Sequence, residues 1–213
     1  REALSDVTSL TSMTEARVIR GKSVLLDKLN ALLRPKKLWQ KKKFYLAKAK
    51  EQKIRHEKSD YTEYSLEPNV KTSPGGLRDI QTLQWIASRT FATHDFKELV
   101  AKQIITRLEH DSLVEARAFL WKVRFGLHII ARRDENRLLF SHQQSLAKHM
   151  NYRDKDQLAV EQFMQDYYIC ASTVNTVNET LMKYFEEEIW EHNKNKKIVK
   201  LDSNFNLVNN LIE

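Results

Sequence analysis

The sequence predicts an all-α protein, a helical bundle of about six to eight helices with a short irregular or β C-terminal tail. The chain of 213 residues contains four glycines and three prolines. A mixed α/β fold would need turn residues about every dozen positions, so this scarcity favours long helices. Apolar residues also recur at helical spacing along most of the chain, as the buried face of an amphipathic helix requires.

Residues 1–33 are predicted to form one or two helices, and a further helix is predicted after them. An apolar stripe over residues 4–18 indicates one helix, with Gly21 as its C-terminal stop because glycine readily adopts a left-handed conformation. A second helix is expected over residues 23–33. A third covers residues 36–58, which are strongly basic and contain two glutamates.

Five further helices are indicated by apolar stripes and capping residues. They cover, in order, residues 76–90, 96–103 and 106–133, a short helix that follows a loop within residues 138–151, and a long helix over roughly residues 157–190. Thr106 and Glu109 fit a capping box at the start of the third of these, and Asp154 is expected to cap the last. After residue 193 the helical pattern breaks. Residues 194–213 are predicted to be a linker and the start of a next domain, with fragments of short strands that form no sheet of their own.

Charge and cysteine content restrict the environment and the partners. The lone Cys170 cannot form an intramolecular disulfide, and no signal peptide or membrane span is recognisable, so we expect a reducing cytoplasm and no membrane. The net charge of +8 and the basic residues 36–58 suggest nucleic acid as a partner. A solvated helix face, or a docking face for an acidic protein, is the preferred interpretation, because no regular interleaving of aromatic residues accompanies the lysines.

The segment from Glu67 to Asp79 concentrates the scarce turn residues. It contains two of the four glycines and two of the three prolines. Gly75 and Gly76 permit a tight turn, or a close approach of the backbone to a ligand, where a Cβ atom would clash. An apolar run at helical spacing begins at Leu77. The segment is therefore predicted to be an extended strip and a turn that lead into a helix.

Charged residues of this segment suggest an anion site. Helix-terminal N–H groups beside a fixed cation commonly bind an anion, and Arg78 lies in the first turn of the predicted helix. Lys71 would approach from the preceding strip. The alternative is an ordered loop that caps the helix, with Arg78 and Asp79 as a surface pair. Spacing alone does not decide, because two glycines before a helix are a weak signal.

Other residues that could serve as metal ligands or phosphate contacts give weaker signals. His94-Asp95 and His110-Asp111 each spell the dipeptide of HD-type phosphohydrolases, but a metal site needs further converging ligands. Asp95 is therefore predicted to be an N-cap and Asp111 an exposed acid in a first helical turn. Arg124 borders an apolar helix face, where pairing with a carboxylate is expected and a phosphate-facing role is the alternative. No catalytic residue and no metal ligand is predicted in this chain.

Several stretches resemble the middle region of the bacterial PII uridylyltransferase/uridylyl-removing enzymes. The most specific is residues 66–85, which contain Pro-Gly-Gly-Leu-Arg-Asp. Similar stretches follow the family's order at residues 14–21, 119–128, 137–143, 160–168 and 205–213. The resemblance covers nearly the whole chain.

The resemblance implies a position between two catalytic domains. In that family a nucleotidyltransferase domain uses Mg²⁺ to transfer UMP from UTP to a tyrosine of the PII signal protein, and a downstream HD domain removes the UMP by hydrolysis. The sequence matches neither catalytic domain. We therefore expect residues 1–193 to be the helical domain that follows the nucleotidyltransferase domain. The fragment alone would be inactive and would bind no Mg²⁺, although the parent enzyme uses it.

The resemblance also assigns roles to the turn. The expected contacts with the UTP phosphates come from Lys71, Gly75, Gly76 and Arg78. Glu67, Asp79 and Arg124 are expected to support them, the two acids by orienting the cations. The alternative is that the motif only locks the helical domain to its neighbour.

A second function from a different class stays open. The chain would then be a non-enzymatic basic helical module that binds nucleic acid or an acidic protein partner through residues 36–58. Steep salt dependence of binding to arbitrary DNA would favour it.

Overall fold

The all-α prediction is confirmed by the structure. The computed structural model describes residues 5–34, 38–59, 61–93 and 95–190, and the backbone alone of residues 191, 198–200, 206–208 and 211–212. In this part of the chain lie eight helices, namely α1 (Val7–Thr14), α2 (Val24–Leu32), α3 (Lys41–Glu57), α4 (Leu77–Phe91), α5 (Phe96–Ala101), α6 (Arg107–Ala131), α7 (Phe140–His149) and α8 (Ala159–Glu191). Three short strands follow, β1 (Ile198–Lys200), β2 (Asn206–Val208) and β3 (Leu211–Ile212). None of the described helices is both long and apolar enough to cross a membrane.

The core is organised around α8, which packs against α3, α4, α6 and α7. Its inner face is the apolar stripe that the sequence indicates, with Phe163, Ala171, Val174 and Phe185 fully buried. Asn178, on the same face, is fully buried as well and accepts a hydrogen bond of 2.6 Å from the amide of Gln52. The longest helix therefore supplies the surface on which α4 and its preceding turn are placed.

The capping predictions have different outcomes. Thr106 and Glu109 form the expected capping box at the start of α6, and Asp95 caps α5 through the Lys97 N–H. α8 begins at Ala159, two residues after the predicted start near residue 157. Asp154 still contributes there, since its carboxylate accepts the Ala159 N–H at 2.8 Å.

The N-terminal helices are shorter than the sequence suggests. α1 ends at Thr14, so Gly21 is not its stop, and Val18 is 40% exposed. The chain is instead held at Glu15, whose carboxylate accepts the Trp85 indole N–H at 2.7 Å. The predicted basic helix over 36–58 starts only at Lys41, after Trp39 with its positive φ of 48°. Residues 36 and 37 lie outside the described residues.

The expectation about the C-terminal strands is wrong in one respect. β1, β2 and β3 pair as a three-stranded antiparallel sheet in the order β1-β2-β3. Backbone pairing of neighbouring strands supplies the hydrogen bonds that isolated strands would lack. The predicted linker at residues 194–197 lies outside the described residues.

Candidate functional site

The segment from Asn69 to Gly76 forms a compact turn in front of α4. The Asn69 carboxamide accepts the N–H groups of Lys71 and Thr72 at 3.1 and 3.0 Å, and the Ser73 hydroxyl accepts the Asn69 N–H at 2.9 Å. Val70 is fully buried, and its N–H donates to the Asn136 carbonyl at 2.9 Å. The turn is thus fixed both internally and to the segment that follows α6.

The first-turn amides of α4 are not free, in contrast to the expectation from the sequence. The N–H groups of Leu77 and Arg78 donate to the carbonyls of Val70 and Lys71 at 3.0 and 2.8 Å. The Asp79 N–H donates to the Gly76 carbonyl at 3.0 Å. The turn folds back on the helix and uses the donors that an anion would need.

The two glycines are required for close packing. Gly75 has φ of +73°, and a Cβ atom built on it would lie 2.0 Å from the Ala171 carbonyl oxygen of α8. A Cβ on Gly76 would lie 2.8 Å from the Ser73 carbonyl oxygen. Their N–H groups also have partners, because Gly75 donates to the Asp79 carboxylate at 2.8 Å and Gly76 to the Ser73 carbonyl at 2.9 Å. Gly75 therefore permits the close contact between the turn and α8, whereas Gly76 permits close packing within the turn itself.

Asp79 is the centre of a buried polar cluster with Arg55 and His56 of α3. Its side chain is fully buried, and Oδ1 lies 2.7 Å from Nη2 of Arg55 and 3.0 Å from Nε2 of His56. Arg55 also donates from Nη1 to the Thr72 carbonyl at 3.2 Å. The alternative of a surface pair between Arg78 and Asp79 is therefore wrong, because Asp79 faces the interior and pairs with Arg55.

Glu67 contacts the start of α7. Its carboxylate accepts the Phe140 N–H at 2.8 Å, so it supplies one of the partners that a helix N-terminus needs. Its backbone carbonyl accepts a hydrogen bond from Nε of Arg137 at 3.3 Å. The contact that the structure gives the Glu67 carboxylate is this helix cap.

The cationic side chains of the predicted site converge on one cavity. Lys71, Arg78 and Arg124 line a space of about 300 Å³ between the turn, α1, α4 and α6. Trp85, Trp121 and Glu15 lie on its wall, together with hydroxyl groups of α1. Within the described residues, neither the Lys71 ammonium nor the Arg78 guanidinium makes an ion pair. Two cations without a carboxylate partner make the cavity suited to an anionic group.

Aromatic rings hold the two arginines of this cavity. The Cζ atom of Arg78 lies 5.2 Å from the Trp85 ring centroid, and that of Arg124 lies 5.2 Å from the Trp121 ring centroid. Arg124 also donates from Nε to the Asn136 carboxamide at 2.7 Å, with Nη2 3.6 Å from Asp134. The expected carboxylate partner of Arg124 is thus present, although Asp134 is largely exposed. Stacking fixes the direction of a guanidinium without neutralising its charge.

A buried lysine adds positive charge behind this wall. The Lys48 side chain is 1% exposed, pairs with Glu51 at 2.6 Å, and places Nζ 4.3 Å from the Trp85 ring centroid. Burial lowers the pKa of Lys48 from its ordinary value, while the hydrogen bond to Glu51 opposes this shift. The sequence interpretation of a solvated lysine face does not hold for Lys48.

The cavity does not fit a magnesium site. Mg²⁺ prefers oxygen ligands, carboxylates among them, whereas Glu15 is the one carboxylate among the described residues that line the cavity, and it already binds Trp85. The part of the chain that the structure describes also holds no group of three or more His, Cys, Asp or Glu side chains placed to bind a metal. His110 lies against Asp111 at 2.7 Å, and His94 is outside the described residues.

Several residues of this region give no recognisable signal in the sequence. Arg55 and His56 lie in a lysine-rich stretch, and their contact with Asp79 spans more than 20 positions. Glu15 and Trp85, which close the cavity between α1 and α4, are 70 positions apart. A single sequence does not show which residues that are far apart in the chain come into contact.

The fold and the site define a class of protein, an all-α domain that presents arginine and lysine side chains in a small cavity next to a glycine-containing turn. Comparison with known proteins agrees with this class. The family model described as GlnD PII-uridylyltransferase matches residues 43–182. The chain therefore belongs to the PII-uridylyltransferase family.

Curated relatives match over the same region. A relative from Stutzerimonas stutzeri (strain A1501) is 44% identical over 213 residues, all of this chain and 24% of the relative. One from Nitrosococcus oceani is 44% identical over 188 residues, 88% of this chain and 21% of the relative. One from Pseudomonas aeruginosa (strain LESB58) is 42% identical over 213 residues, again 24% of the relative. All three are named bifunctional uridylyltransferase/uridylyl-removing enzyme.

The chain spans about a quarter of the length of these relatives. No solved structure matches it. The similarity thus establishes the family of the chain and leaves the assignment of individual residues to their geometry.

Proposed function

We propose that this chain is the helical domain of a bifunctional PII-protein uridylyltransferase/uridylyl-removing enzyme. In this proposal residues 1–193 help to form the UTP cleft beside a nucleotidyltransferase domain, and residues 194–213 lead towards an HD hydrolase domain. The family match and the names of the relatives support the assignment of the parent protein. One observation carries the role in the cleft, namely that Lys71, Arg78 and Arg124 line one cavity.

The size and charge of the cavity favour the phosphates as the bound part of UTP. A volume of about 300 Å³ is at the lower end of the range for ligand sites. The triphosphate would enter it, and the nucleoside would contact the neighbouring domain. Because Gly75 and Gly76 donate within the chain, the proposal places phosphate binding on the side chains of Lys71 and Arg78.

Transfer of UMP from UTP moves negative charge onto the leaving pyrophosphate. Positioned cations are useful at that stage because they stabilise charge that develops in the transition state. Lys71 and Arg78 would supply this charge, with the guanidinium of Arg78 held by Trp85. Mg²⁺ and the PII tyrosine would be bound by the transferase part of the parent, since the cavity residues do not fit a magnesium site.

The test is uridylyl transfer in the longer protein to which the proposal assigns this chain. Transfer of labelled UMP from UTP to PII would be followed for the parent and for Lys71→Ala and Arg78→Ala. We expect a loss of about a hundredfold for each, the scale for removing one preorganised charge contact. Circular dichroism would confirm that each variant is folded.

Lys50→Ala is the matched control, since Lys50 is exposed on α3 and does not line the cavity. Unchanged transfer in Lys71→Ala and Arg78→Ala would show that the cavity has no role in the reaction. The turn would then only attach the helical domain to its neighbour. Absence of transfer by the folded parent would contradict the enzyme assignment itself.

The basic surface of α3 supports the alternative of a non-enzymatic module that binds nucleic acid or an acidic protein. Lys41, Lys50 and Lys53 are exposed there. Other lysines of this stretch contact aromatic rings of the same chain. The Nζ atoms of Lys42 and Lys43 lie 4.5 and 4.6 Å from the ring centroids of Trp190 and Trp39. Binding of arbitrary DNA that falls steeply with salt, together with loss of binding in Lys50→Ala, would favour this alternative.

A further inference from the structure

A second cavity borders the same turn and shares no lining residue with the first. Its volume is about 770 Å³, and it is lined by the C-terminal part of α3, the strip before the turn, the turn residues Thr72 and Ser73, and Arg137. This volume lies within the usual range for small-molecule sites. The proposed role in UTP binding does not use it.

The two carboxylates on its wall already have partners. Glu51 pairs with the buried Lys48 at 2.6 Å. Glu67 accepts the Phe140 N–H at 2.8 Å. The chemistry open to a ligand in this cavity is therefore set by the remaining polar groups.

These remaining groups are mainly hydrogen-bond donors and cations. Lys58 makes no ion pair with any described residue, and the hydroxyls of Ser59, Ser65 and Thr72 make no hydrogen bond within the same part of the chain. Arg137 uses Nε to bind the Glu67 carbonyl, which leaves its two terminal nitrogens available. Arg55 also lies on this wall, and its terminal nitrogens already donate to the Thr72 carbonyl and the Asp79 carboxylate. An anion is the ligand that accepts from such a set.

We propose that this second cavity binds a phosphate-bearing small molecule through Lys58 and Arg137, with the hydroxyls of Ser59 and Thr72 as further donors. The site is independent of the proposed UTP contacts. It is nevertheless joined to the turn, because Arg55 on its wall donates to the Thr72 carbonyl and to the Asp79 carboxylate. Asp79 in turn accepts the Gly75 N–H, so occupancy of this cavity would stabilise the conformation of the turn that presents Lys71.

The test is calorimetric titration of the 213-residue chain with inorganic pyrophosphate at constant ionic strength. All variants would carry Lys71→Gln and Arg78→Gln, so that binding in the first cavity is removed. In this background we expect Lys58→Gln with Arg137→Gln to weaken pyrophosphate binding by about tenfold or more, as expected for lost hydrogen bonds to charged groups. Lys53→Gln is the matched control, since Lys53 is exposed on the same helix and lies outside both cavities.

Three outcomes would overturn the proposal. One is the absence of pyrophosphate binding in the Lys71→Gln/Arg78→Gln background, because binding by the unchanged chain would then place the anion in the first cavity, and no binding by either chain would show that the second cavity holds no phosphate site. The second is equal weakening by Lys53→Gln, which would show attraction to general surface charge. The third is unchanged affinity after Lys58→Gln with Arg137→Gln in a chain that circular dichroism shows to be folded.

Discussion

The segment from Asn69 to Asp79 comprises the turn and the first residues of α4. It has an interior side and a cavity side, and the two sides differ in charge and in packing. On the interior side Gly75 touches the α8 backbone and Asp79 is fully buried with Arg55. On the cavity side Lys71 and Arg78 are half-buried and have no carboxylate partner among the described residues. Neighbouring residues of one motif thus perform separate tasks. The interior side fixes the position of the turn, and the cavity side is available to bind a ligand.

The largest effect is expected from Gly75→Ala. The new Cβ would lie 2.0 Å from the Ala171 carbonyl oxygen, and the φ of +73° is unfavourable for alanine. Backbone strain and overpacking together should lower the free energy of unfolding by about 4 kcal/mol. Urea unfolding of the 213-residue chain measures this loss.

Gly21→Ala is the control for that change, because Gly21 also has a positive φ but nothing lies within 4 Å of the added Cβ. It should lower the free energy of unfolding by about 1 kcal/mol, from backbone strain alone. Equal losses in the two variants would show that contact with α8 does not determine the requirement for glycine at residue 75.

A somewhat smaller loss is expected from Asp79→Asn. The change removes the negative charge that Arg55 and His56 contact, and it leaves a largely buried guanidinium without its carboxylate partner. The expected decrease in the free energy of unfolding is about 3 kcal/mol. Asp27→Asn serves as the control, since Asp27 is exposed and should change stability by less than about 0.5 kcal/mol. A loss for Asp79→Asn no greater than that of the control would contradict the central role of this cluster.

The smallest change in stability is expected on the cavity side. Lys71→Ala and Arg78→Ala should each lower the free energy of unfolding by less than about 1 kcal/mol, the larger part for Arg78 because it stacks on Trp85. The same urea titration measures both. A decrease as large as that of Asp79→Asn would show that the two sides of the turn are not separable, and any loss of transfer could then be structural.

The two sides of the segment also differ in how far they could be predicted from the sequence. Lys71 and Arg78 could be identified as candidates from their place beside a turn at a helix start, but the sequence did not decide that both side chains line one cavity. The prediction of free helix amides fails because the carbonyls of Val70 and Lys71 fold back onto α4. That return of the chain depends on the anchoring of Val70 to Asn136, which lies 66 positions later.

The sequence by itself determined the class of the fold and most of its helices, because helical periodicity, capping residues and the scarcity of glycine and proline are local properties. It also identified the family through contiguous motifs. Tertiary structure alone decided that Asp79 pairs with Arg55, that Gly75 fits against Ala171, and that Arg124 joins Lys71 and Arg78 in one cavity. These contacts join residues far apart in the chain, and their geometry is set by how α3, α4, α6 and α8 pack together.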